Sequence, residues 1–86
     1  MSYSRFFRDV ESVCLKVVFE NADKSTERAL CKNLTLILNY YKLIYPILFT
    51  DETISAKVTF DDTNVGHIQL VMSSGLESEY TKYKGR

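Results

Sequence analysis

Eighty-six residues allow one domain built on one core, and 45% hydrophobic residues with a single proline and three glycines exclude a disordered or collagen-like chain. Eleven basic residues balance eleven acidic ones, so no global field draws the chain onto nucleic acid or an anionic membrane, and any such affinity must come from a local patch. Cys14 and Cys31 form no C-x-x-C and lie far in sequence from the one histidine, His67, which excludes the usual zinc and dithiol motifs.

The first segment, Ser4 to Glu20, has two readings. As a helix it puts Tyr3, Phe6, Phe7, Val10, Val13, Cys14, Val17 and Val18 on one side and Arg5, Arg8, Asp9, Ser12, Lys16 and Glu20 on the other, with Ser4 as N-cap. As a strand, Val13, Leu15, Val17 and Phe19 alternate with Ser12, Cys14, Lys16 and Glu20. The helical pattern is longer and also accounts for Phe6, Phe7 and Val10, so helix is the preferred reading. Asn21 to Asp23 is a short connection, Asp23 or Ser25 caps the next helix, and so short a link makes the two helices antiparallel neighbours.

The central helix is predicted from about Lys24 to Tyr45, with Pro46 ending or kinking it because proline lacks an amide donor and restricts the residue before it. At 100° per residue, Leu30, Leu34, Ile37, Tyr41, Ile44 and Leu48 form one stripe. Ala29, Leu36, Tyr40, Leu43 and Ile47 lie on one flank of it, and Cys31, Leu38, Tyr45 and Phe49 on the other. Arg28, Lys32, Thr35, Asn39 and Lys42 form the polar line. A surface helix buries one stripe; one this apolar must be covered on several sides. The segment is long enough to cross a bilayer, but Lys32, Asn33, Asn39 and Lys42 within it favour a helix buried in protein.

Beyond Thr50 the period becomes two. Ile54, Ala56, Val58 and Phe60 alternate with polar residues, and after Asp61-Asp62-Thr63-Asn64 so do Ile68, Leu70 and Met72, which predicts a β-hairpin with one apolar face resting on the helices. Ser73-Ser74-Gly75 then gives way to residues 77–86, read as a mobile basic, tyrosine-bearing tail. The expected fold is a small α+β domain over residues 1–76, order α-α-β-β. Its alternative is βαββ, with a three-stranded antiparallel sheet on one long helix.

Chemistry is sparse. Cysteine with His67 is the one nucleophile–base combination, and both thiols fall in apolar helical patterns where a thiol is inert packing. The carboxylates Asp51, Glu52, Asp61 and Asp62 lack the spacing of a calcium loop and read as solvated turn residues. Gly66, Gly75 and Gly85 are isolated and make no phosphate cradle. Asn33-Leu34-Thr35 fits the glycosylation pattern but sits inside a predicted helix. The N-terminus shows no apolar signal core, so the cytoplasm with reduced thiols is the expected location. No enzyme activity, cofactor, metal or small-molecule substrate is expected.

Two binding readings follow. Surplus apolar area at Leu36, Tyr40, Leu43 and Ile47 suits a protein partner, and a homodimer is the simplest way to cover it. Such a chain suits a small inhibitor or adaptor, including one of viral or phage origin. The alternative is an RNA- or DNA-binding regulator using Arg28, Lys32 and Lys42 on the helix with Lys82, Lys84 and Arg86 of the tail, whose tyrosines would stack on bases.

Overall fold

Helix α1 (Ser2–Phe19) is followed by α2 (Lys24–Ile44), a single turn α3 (Pro46–Phe49), strands β1 (Ile54–Phe60) and β2 (Gly66–Met72), and helix α4 (Ser74–Lys84). The computed structural model describes the backbone of residues 2–19, 24–63 and 65–85, and the side chains of residues 3–15, 25–63 and 65–85. The predicted connection Asn21–Asp23, the capping role of Asp23, the turn residue Asn64, and the side chains of Lys16, Val17, Val18, Phe19 and Glu20 lie outside the described residues.

Residues 12–19 continue α1, so the helical reading holds and the βαββ alternative falls. The reason is packing: Phe6, Phe7 and Val10 are buried at helical spacing, with Val13 and Cys14 packed against the same cluster. The helix starts by Ser2, which places Ser4 inside the first turn instead of at the N-cap.

The start of α1 lies beside the end of α2, Phe6 meeting Tyr41 edge-on at 5.4 Å, which is the antiparallel arrangement. Tyr45, with φ −133° and ψ 64°, leaves the helical region before Pro46, and the chain restarts as α3. That break swings Phe49 into the core, where its ring meets Phe6 and Tyr3, both at 5.1 Å, and the Tyr3 hydroxyl donates to the Leu48 carbonyl at 3.0 Å.

β1 and β2 pair antiparallel in one unbroken register, from Ile54 opposite Met72 to Phe60 opposite Gly66. Ile54, Ala56 and Val58 are buried beneath the helices. In the connecting turn Asp61 Oδ1 accepts from the Thr63 amide (2.9 Å), the Thr63 hydroxyl (2.7 Å) and the Val65 amide (2.9 Å). This side chain substitutes for backbone turn bonds.

The expected mobile tail is a helix instead. Leu76 is fully buried, and Tyr80 and Tyr83 pack on Phe7 with ring centroids 4.9 and 5.5 Å away. The Ser73 hydroxyl donates to the Glu52 carboxylate at the head of α4, where a negative charge complements the helix dipole. A Cβ on Gly75 would stand 2.9 Å from Glu52 Oε1, so glycine leaves that carboxylate its room.

Candidate protein-binding face

The buried side of α2 holds Leu30, Leu34, Leu38 and Tyr41. It is turned from the predicted stripe toward the Cys31, Leu38 and Tyr45 flank, because α1 covers one side of the helix and β1 the other. The predicted stripe therefore splits: Leu30, Leu34 and Tyr41 are buried, Ile37 is half-buried, and Ile44 and Leu48 are exposed. Two contacts fix this rotation. The Tyr41 hydroxyl donates to Asp9 Oδ2 at 2.7 Å, and the Cys31 thiol donates to the Ala56 carbonyl at 3.2 Å.

With that side inward, the opposite flank faces solvent. Leu36 is 57% exposed, Tyr40 59%, Leu43 81% and Ile47 91%. Ile44 at the end of α2 and Leu48 in α3 are exposed as well, so six large apolar side chains face solvent between Leu36 and Leu48. A dense run of exposed large apolar side chains is a candidate protein or membrane contact, whereas isolated exposed leucines need no explanation.

The basic line borders this face. Arg28 and Lys32 are exposed beside it, and Lys42 is half-buried. By helical geometry the two strips are adjacent, with Leu43 and Leu36 following next after Lys32 around the axis. The Thr35 hydroxyl donates to the Cys31 carbonyl at 2.9 Å, a bond within its own helix. Lys82 and Lys84 stand on α4, which packs on α1 and β2 and does not touch α2. Lys82 pairs with Glu79 at 3.3 Å, and the Lys84 ammonium lies 5.3 Å from the Tyr80 ring centre. Arg86 lies outside the described residues. The structure thus does not join the helix and tail cations into one track, and the tyrosines assigned to base stacking are turned onto Phe7.

The titratable groups follow their surroundings. Burial, with Glu11 nearby, pushes the Cys14 thiol up, away from the thiolate a nucleophile needs. Burial also raises Tyr41, to about 12, helped by its hydrogen bond to Asp9. Tyr80 is raised by burial and by the charge of Glu11, and Tyr83 by its hydrogen bond to the same carboxylate. His67 is exposed and bonded through Nε2 to Asp61 Oδ2 at 3.0 Å. That bond, with those from Thr63 and Val65, holds the Asp61 carboxyl well below the usual carboxylate range. Asp51, Asp61 and Asp62 are exposed, and among the described residues no group of three or more His, Cys, Asp or Glu is placed to hold a metal ion. None of the described helices is long and apolar enough to cross a membrane.

The signal for α4 was present in the sequence: Leu76, Tyr80 and Tyr83 are spaced 4 and 3. Glu11 carried no such signal, because its importance comes from α4 closing over it. Compared with known protein families, curated proteins and solved structures, the chain matches none.

Proposed function

We propose that this chain is a small non-catalytic binding protein, inhibitor or adaptor in type, which docks a protein partner on the apolar face of α2 and α3. A second copy of the chain is the first partner this face would accept. The observation that carries the reading is the exposure of Leu36, Tyr40 and Leu43, which helical geometry puts on one face of α2, followed by the exposed Ile47 of α3. A tyrosine among aliphatic side chains, with no carboxylate between them, fits the aromatic, charge-depleted centre of an interface. An isologous contact lets each copy cover the other's Tyr40 and Leu43.

The experiment is sedimentation equilibrium at micromolar concentration. Wild-type chain is expected as a dimer, and Tyr40→Glu with Leu43→Glu as a folded monomer, since both side chains already face solvent in one copy. Monomeric wild type that also leaves the Tyr40 ring solvated in every mixture tried would refute the reading.

A further inference from the structure

The two strands of the hairpin are flanked differently: α2 packs along β1, whereas α1 and α4 lie beside β2. The Ser73 amide donates to the Thr53 carbonyl (3.0 Å) at one end of the ladder, and the Asp61 amide to the Val65 carbonyl (3.2 Å) at the other. Bonded and non-bonded pairs alternate in an antiparallel ladder, so Ala56–Leu70 and Val58–Ile68 are non-bonded pairs whose N–H and C=O groups point outward. On the β1 edge Ala56 uses both groups on Cys31: its carbonyl accepts from the thiol, and its amide donates to Sγ at 3.4 Å. Among the described residues, no hydrogen bond reaches the outward groups of Val58, Ile68 or Leu70; Val58 lies on the strand that α2 packs along, which leaves the Ile68 and Leu70 groups as the open edge.

β2, Gly-His-Ile-Gln-Leu-Val-Met, has no proline, lysine, arginine or carboxylate, and its register has no bulge. These are the devices that protect a free edge. Beside it runs a groove of about 760 Å³, walled by Cys14 and Leu15 of α1 and by Tyr80 and Thr81 of α4. On the inner face Ile54, Ala56 and Val58 of β1 are buried, while Ile68, Leu70 and Met72 of β2 are only half-buried, which leaves apolar surface uncovered on the β2 side. Glu11 lies in the same wall. Its carboxylate is hydrogen-bonded to Tyr83, and the second oxygen, Oε1, has no donor within the single chain, so one acceptor is left to be satisfied.

We propose that this groove takes an extended segment of a partner polypeptide, added to β2 as a third strand. Its alternate apolar side chains rest on the α1 and α4 walls, and a lysine or arginine among them is set against Glu11. Main-chain bonds to Ile68 and Leu70 supply affinity, and the wall supplies specificity. The site uses other elements than the α2–α3 face and stands without it.

The test is selection from a random peptide library displayed on phage, with wild-type chain and the Tyr40→Glu/Leu43→Glu variant as parallel baits. Both should enrich peptides with apolar residues at i, i+2 and i+4 and a basic residue among them. A synthetic copy should slow exchange of the Ile68 and Leu70 amides. Its affinity should drop at least tenfold on Leu70→Pro, which removes an outward N–H. Should that variant not fold, Gln69→Lys with Val71→Lys, at two exposed positions, should produce the same loss by charging the edge. Glu11→Gln should weaken the basic peptide severalfold and leave its norleucine version unchanged. Absence of enrichment, or peptides with helical spacing that bind the edge variants as well as wild type, would overturn the proposal. So would edge amides already protected in self-associated chain without peptide, which would assign the edge to a second copy.

Discussion

The Tyr41 hydroxyl donates to Asp9 Oδ2 at 2.7 Å across 32 residues of sequence, and together with the Cys31–Ala56 contact this bond fixes which side of α2 the solvent sees. Successive helical residues are turned by 100°, so drawing Tyr41 under α1 sends Tyr40 outward. The apolar face is thus a consequence of how α1 grips α2.

Burial of Tyr41, helped by the same bond, sets an alkaline limit. Tyr41 ionises at about 12 in the folded chain, whereas an unfolded tyrosine loses its proton near 10. Stability from this group is therefore complete below pH 10 and lost as pH rises from about 10 to 12, because the unfolded chain ionises first. Tyr3, Tyr80 and Tyr83 are raised too and act in the same direction. Urea midpoints measured from pH 8 to 12 should be flat to about 10 and then fall, less steeply in Tyr41→Phe. An unchanged midpoint at pH 11.5 would contradict the burial of these rings.

Leu76→Ala should lower stability by about 2–5 kcal/mol, the usual cost of truncating a fully buried leucine. A residue in a mobile tail would shift it by no more than about 0.5 kcal/mol. Equilibrium urea unfolding separates the two.

The helical hairpin and the β-hairpin were legible because their apolar residues keep one period over many positions: Phe6, Phe7 and Val10 in α1, and Ile54, Ala56 and Val58 in β1. Two features were not. Ser73-Ser74-Gly75 has the composition of a turn, which hid the start of a helix that Leu76, Tyr80 and Tyr83 hold by packing and whose head Ser73 ties to Glu52, 21 residues earlier. The exposed flank of α2 was legible as surplus apolar area. The precise limits of the buried side were not, because the break at Tyr45 swings Phe49 inward and leaves Leu48 out. The groove beside β2 has no local sequence signature at all, since its walls come from two helices at opposite ends of the chain.

Both thiols should react slowly with a disulfide reagent at pH 8 and quickly in urea. Cys14 is half-buried with its thiol pushed up by burial, and Cys31 is bonded to both backbone groups of Ala56. Time courses for Cys14→Ser and Cys31→Ser chains assign the rates. Fast native labelling of Cys31 would mean that α2 does not hold the β1 edge.

The hairpin turn has an acid limit. Hydrogen bonds from His67, Thr63 and Val65 depress the Asp61 carboxyl, so its contribution is complete above the unfolded value near 4 and is lost as pH falls below it. Amide exchange at Thr63 and Val65, whose amides Asp61 holds, should speed up below pH 4 relative to helix amides, after correction for intrinsic rates. Asp61→Ala should show the faster exchange already at pH 6.

The apolar face is tested most directly by isotope-filtered NMR on an equal mixture of ¹³C-methyl-labelled and unlabelled chain. If α2 and α3 dock a second copy, the Leu36, Leu43 and Ile47 methyls will show intermolecular NOEs to the other copy's Tyr40 ring, absent in Tyr40→Glu/Leu43→Glu. Methyls that show no intermolecular NOE at millimolar concentration, on a chain that tumbles as a monomer, would contradict it.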